Sequence, residues 1–147
     1  MSIRRWHVLA AFAPIALASL SGIADAADGN NVKVVYHVNE GFEQATNAVR
    51  NIRNHLSADP TAKITVVTHA AGVNFLLDGA KDKNGNPYDA AVQELVAQGV
   101  DFRVCNFTLV SGNIDRSKVI PEATIVPSGV AEVARLQAKE QYVYLRP

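Results

Sequence analysis

A chain of 147 residues with 14 basic and 14 acidic side chains, 48% hydrophobic and 7% aromatic, is composed like an ordinary globular domain. Balanced charge excludes the electrostatic footprint of a nucleic-acid or anionic-membrane binder. A single cysteine excludes a disulfide within the chain and argues against a self-contained dithiol mechanism.

The first 26 residues read as a cleaved leader. Arg4 and Arg5 form a positive n-region, and Val8–Ile23 is a short apolar run interrupted by Pro14 and Gly22. Ala24-Asp25-Ala26 is an A-x-A cleavage signal that leaves Ala27 as the first mature residue. The paired arginines also admit a twin-arginine export route. The apolar run is short for a spanning helix, so the expectation is a periplasmic protein with no membrane attachment after cleavage. Residues 1–26 are then a signal peptide, and residues 27–147 one domain carrying one more acidic than basic side chain.

Residues 28–31 are a polar lead-in. Val32–Val38 is dense in β-branched residues and reads as an interior strand covered on both faces. Asn39 follows as the expected N-cap of a helix, with Glu40 and Glu43 in the first turn, where the backbone dipole favours negative charge. Phe42, Ala45, Val49, Ile52 and Leu56 recur at helical spacing, and Asp59-Pro60 ends the run. Lys63–Thr68 is a second strand, with His69 just beyond it. Ala70-Ala71-Gly72 makes a small-residue turn, and Val73–Leu77 a short helix closed by Gly79. After a polar loop over 81–85, Asn86-Pro87 supplies an N-cap and a proline at the first helical position. Tyr88, Ala91, Val92 and Leu95 give that helix its apolar face, and Gly99 its stop.

Val100–Cys105 is the third strand, with Phe102 and Val104 on one face and Arg103 and Cys105 on the other. Thr108 is the expected cap of a short helix over Leu109–Ser111, ended by Gly112. A polar connection over 113–122 leads to a fourth strand, Ala123–Val126. Pro127 and Ser128 open a helix with Val130, Val133, Ala134 and Ala138 along one stripe, ending near Glu140, and Tyr142–Leu145 is the fifth strand. Strict alternation of strand and helix calls for an α/β fold of parallel strands with helices on both faces. All strand-to-helix turns then share one edge of the sheet, where such folds bind ligands. Three polar segments meet there: His37 to Asn39, His69 to Asn74, and Cys105 to Thr108.

A thiol at that edge is well placed for reaction, because unpaired amides at the start of the next helix favour thiolate over thiol. Asn106 and Thr108 can donate further hydrogen bonds, and His37 or His69 can hold a proton nearby. The competing reading makes Cys105 a small buried hydrophobe and the histidines hydrogen-bonded strand ends. His55, late in a helix, reads as a surface residue, and the segment from Asp115 to Lys118 as a solvated loop. No tight ligand spacing supports a metal site, and no dinucleotide, Walker, C-x-x-C or G-x-S-x-G motif is present. Neither cofactor nor metal is therefore expected.

Three stretches resemble the DsrE/DsrF-like family. They are His69-Ala70-Ala71-Gly72 followed by Phe75-Leu76-Leu77; Gly99 to Leu109 with its central Val104-Cys105-Asn106; and Pro127-Ser128-Gly129-Val130 with Leu136-Gln137. The likeness runs from about Val32 to Pro147. It implies a three-layer α/β/α fold with a five-stranded, mainly parallel sheet, and assembly into homo-oligomers. In sulfur-relay members a cysteine at this strand end carries sulfane sulfur as a persulfide and passes it to a partner. Cys105 occupies the matching position. The best-known relay proteins are cytoplasmic hetero-oligomers, from which an exported chain departs.

Two functions follow. In the first, Cys105 takes sulfur from a donor and gives it to an acceptor thiol. His69 and His37 assist as catalytic residues, and Asn106, Thr108, Asn39, Gly72 and Asn74 line the substrate site. In the second, the chain is a noncatalytic oligomeric module that binds a small ligand or a protein, and Cys105 only packs. An intermolecular Cys105 disulfide is a third, poorer reading, since bulky Phe107 lies beside the thiol.

Overall fold

The computed structural model describes residues 31–147, so the expected leader over residues 1–26 lies outside the described residues. In chain order the elements are β1 (Lys33–Val38), α1 (Phe42–Ala58), β2 (Lys63–Thr68), a 3-10 helix (Ala70–Leu76), α2 (Tyr88–Ala97), β3 (Asp101–Cys105), α3 (Asn106–Ser111), a 3-10 turn (Arg116–Lys118), β4 (Ala123–Val126), α4 (Gly129–Glu140) and β5 (Val143–Leu145). The sheet order is β4-β3-β2-β1-β5, and every pairing between these strands is parallel. The chain moves outward from β1 to β4. It then crosses the whole sheet through α4 and adds β5 on the far side of β1.

The two faces are unequally covered. Val34, Tyr36, Val38, Ile64, Val66, Phe102 and Val104 point to one side, where α1, α2, the 3-10 helix and Leu109 of α3 bury them. On the other side α4 is the cover. There Val35 and Val67 pack with Val133, Leu136 and Tyr142 in a much smaller core. β1 and β2, with apolar groups on both faces, therefore need α4 as well as the larger layer. The result is a three-layer α/β/α sandwich with a five-stranded parallel sheet.

Helix starts depart from expectation in three places. α1 begins at Phe42 with Gly41 as N-cap, not at Asn39. The buried Gln44 side chain reaches back and accepts from the amides of Asn39 and Glu40, both at 2.8 Å, so those residues stay outside the helix. α2 begins at Tyr88 with Pro87 rather than Asn86 as N-cap. α3 begins at Asn106, with Cys105 itself in the N-cap position, so Thr108 lies inside the helix rather than capping it. No helix among the described residues is long and apolar enough to cross a membrane.

Candidate functional site

β3 passes into α3 without a loop, which leaves Cys105 at the joint between a strand and a helix. Its β-carbon faces the α4 side of the sheet, in line with Arg103. α4 starts directly above. Ser128 caps that helix, its hydroxyl accepting from the Ala131 amide at 3.3 Å. Gly129, the first helical residue, packs onto the strand ends. A β-carbon on Gly129 would stand 2.8 Å from the Thr68 carbonyl oxygen, 3.1 Å from His69 Cβ and 3.2 Å from Cys105 Cβ. Only glycine admits so close an approach, and it brings the free amides of α4 down onto the sulfur.

Cys105 is a free thiol, 4% exposed. Burial pushes it up. Against that, the Gly129 amide, the Thr108 hydroxyl and the amides of Thr108 and Phe107 all favour the charged sulfur, and together they hold the thiol below its ordinary value of 9.0. The Phe107 amide is shared, since it also donates to the Pro127 carbonyl at 3.3 Å. Thr108 is shared too: its hydroxyl accepts from the Ala70 amide at 3.0 Å and so ties the turn after β2 to α3.

The histidines extend the site across the sheet. Register places His37 opposite Val67, on the same face as Cys105, and His69 follows one residue after β2. Their rings lie 4.8 Å apart at 31°. His37 Nδ1 shares a hydrogen bond of 2.7 Å with the Tyr144 hydroxyl of β5. A row Tyr144–His37–His69–Cys105 thus crosses four adjacent strands. His69 is the member next to the thiol, because both β-carbons lie against Gly129. His37 meets the site through His69. Burial, then His69 and Arg146, pull His37 below 6.5, and burial does the same to His69. Both rings therefore favour the neutral form, which can accept or donate a proton.

The remaining predicted residues divide. Gly72 is a packing residue: a β-carbon there would sit 2.1 Å from the Val38 carbonyl oxygen, so its backbone seats the 3-10 helix on the end of β1. Asn74 lies further along that helix, where its carbonyl accepts from the Leu77 amide at 3.3 Å. Asn39 Oδ1, Asn106 Oδ1 and His37 Nε2 are buried with no hydrogen-bond partner, which leaves them available to a bound group. Sequence reasoning missed Gly129, Ser128 and Tyr144. The first two could have been found, since the turn after β4 obeys the same edge rule as the other three. Tyr144 depends on β5 pairing with β1, which composition does not reveal. Among the described residues no group of three or more His, Cys, Asp or Glu side chains is placed to hold a metal ion. The larger surface clefts lie elsewhere. One of about 650 Å³ runs beside Phe42, Thr46, Arg50 and Lys83.

A family model described as "DsrE/DsrF-like family" matches residues 23–147. Among solved structures, a protein of unknown function from Methanobacterium thermoautotrophicum, MTH1491, is 31% identical, with a TM-score of 0.71 over 80% of this chain and 100% of its own. The ychN protein of E. coli is 18% identical, with a TM-score of 0.67 over 79% of this chain and 99% of its own, a likeness of fold. No functionally curated protein matches the chain.

Proposed function

The chain belongs to the DsrE/DsrF-like family, and from that premise we propose that Cys105 is a sulfur-carrying thiol. It accepts sulfane sulfur as a persulfide and passes it to an acceptor thiol. The observation that carries this reading is the convergence of two helix starts on Cys105, the N-cap of α3, with a Gly129 β-carbon only 3.2 Å from its Cβ, so that Gly129, Thr108 and Phe107 all favour the charged sulfur. A cysteine that merely packs has no use for them. In the first step the Cys105 thiolate attacks the outer sulfur of a donor persulfide. A new S–S bond forms, the donor's S–S bond breaks, and the electron pair leaves with the donor thiolate. In the second step an acceptor thiolate attacks the outer sulfur, and Cys105 departs as thiolate. No net oxidant or reductant enters. The same donors stabilise the thiolate as nucleophile and as leaving group. His69 takes up or returns the proton of whichever thiol is neutral, and His37 with Tyr144 orients it.

The leader over residues 1–26 would place this chemistry in the periplasm, and family likeness favours a homo-oligomer. The second reading, a binding module with a packing cysteine, draws on the 4% exposure of Cys105. One experiment separates the two. The protein is incubated with glutathione persulfide or polysulfide and weighed intact. The expected result is a gain of one sulfur atom that disappears in Cys105→Ser and on addition of an acceptor thiol. No gain, or a gain that persists in Cys105→Ser, would favour the binding module.

A further inference from the structure

Two ties hold the first turn of α4 to β3. One is the contact of Gly129 with Cys105. The other is an ion pair one strand-repeat back: Arg103 Nη1 donates to Glu132 Oε1. Arg103 precedes Cys105 by two residues and shares its face, and Glu132 follows Gly129 by three residues in the helix. Both partners are largely enclosed, at 21% and 12% side-chain exposure. Arg103 is braced from below by Asp101, with Nε donating at 2.8 Å. Glu132 is braced along its own helix by Arg135, whose Nε and Nη2 donate at 3.0 and 2.8 Å. The core beneath this helix is small, so an enclosed ion pair counts for more in fixing its height above the sheet.

We propose that the Arg103–Glu132 pair is a positioning device for Cys105, pinning the first turn of α4 to β3 and so holding the Gly129 amide on the sulfur. Arg103 and Glu132 are positioning residues, not catalytic ones. The inference rests on the reading of Cys105 as a working thiolate, but it concerns the acidity of the thiol and not the cargo.

The charged groups on the elements packed around Cys105 decide how it can be tested. From β3 come Arg103 and Asp101, from α4 Glu132 with Arg135 and Glu140 behind it, and from the β2 and β1 sides His69 and His37. α3 contributes no titratable side chain. Hydrogen bonds from Arg135 first, and from Arg103, keep the Glu132 carboxyl below the usual carboxylate range, so the pair stays charged wherever the thiol titrates. If Glu132 acted on Cys105 only through its charge, removing it would make the thiol more acidic. If it acts by position, removing it frees the amide and makes the thiol less acidic. The two roles differ in sign.

The test is a pH titration of thiolate ultraviolet absorbance in the intact protein, with Cys105→Ser as the blank and circular dichroism to monitor folding. Glu132→Ala is expected to raise the thiol pKa by about one unit, roughly a tenfold loss of thiolate near neutral pH. Arg135→Ala, which removes a brace but leaves the Arg103 contact, is expected to leave it within a few tenths of a unit. The apolar exchange Arg103→Met with Glu132→Leu, similar in volume and free of charge, is expected to keep α4 seated and restore most of the acidity. A fall in pKa in Glu132→Ala, or an unchanged value in folded protein, would overturn the proposal. If Glu132→Ala does not fold, Glu132→Gln decides by sign: a raised pKa upholds positioning, and a lowered or unchanged one refutes it. Failure of sulfur loading with the thiol shifts intact would sink only the reading of the cargo.

Discussion

At the scale of single residues, His37 and His69 carry a pH signature. Both are held below 6.5, His37 by burial, His69 and Arg146, and His69 by burial. Folding therefore favours their neutral forms. As pH falls below 6.5 the unfolded chain binds protons first, so stability is complete above that value and declines as pH drops through the lowered folded values. Glu94 and Glu132, both held below the ordinary value of 4.5, do not yet contribute. The urea midpoint is expected to fall between about pH 6.5 and 5, and the double variant His37→Asn/His69→Asn to flatten that slope. A slope unchanged in the double variant would assign it to other groups. Cys105 was legible in the sequence because its strand ended in small polar residues at a predictable edge. The donors that act on it were only partly so. Thr108 is local, but Gly129 lies 24 positions further along the chain and meets the sulfur only through the β3–β4 pairing.

At the scale of elements, the sequence was most informative where one residue type forces an outcome. Gly99, at φ +90°, closes α2, and the β-branched run over Lys63–Thr68 is β2 with the expected bounds. Legibility failed at helix starts, where the deciding group was a side chain elsewhere: Gln44 captures two amides that Asn39 was expected to release into α1. α4 offers the sharpest energetic test. Leu136 is fully buried in a core of few members. Leu136→Ala should cost about 2–5 kcal/mol in urea unfolding. Because α4 carries Gly129, the same variant should also raise the pKa of the Cys105 thiol, read from thiolate absorbance. Gly72→Ala tests the other side of the site. Its methyl would overlap the Val38 carbonyl, and the expected loss is about 1–3 kcal/mol with no route to relief except moving the 3-10 helix off β1. A neutral result at either position would show that its element is not seated as described.

At the scale of the whole molecule, the alternating pattern of strands and helices was enough to specify a parallel sheet with its strand-to-helix turns on one edge. It was not enough to order the strands. The position of β5 beyond β1 is a property of pairing, and it is what brings Tyr144 to His37. Family likeness favours an oligomer, and Phe107, Val110 and Val130, exposed at 66%, 69% and 61%, stand on α3 and α4, whose first turns meet beside Cys105. Sedimentation of the wild-type protein is expected to give a multimer, and Val110→Asp to reduce its mass. A wild-type monomer at micromolar concentration would remove that expectation.

The long β4-to-β5 crossover also sets an order of events. Chains emerge from synthesis or translocation with the N-terminal part first. β1, β2 and β3 and the larger helical layer are complete in sequence before Ser128 and Gly129 exist. Until α4 has crossed the sheet, Cys105 has neither the Gly129 amide above it nor the cover of that helix. The thiol's acidity is therefore acquired late, once α4 is in place. A chain ending before α4 keeps only the donors of α3, and the full acidity of Cys105 is coupled to the docking of that helix.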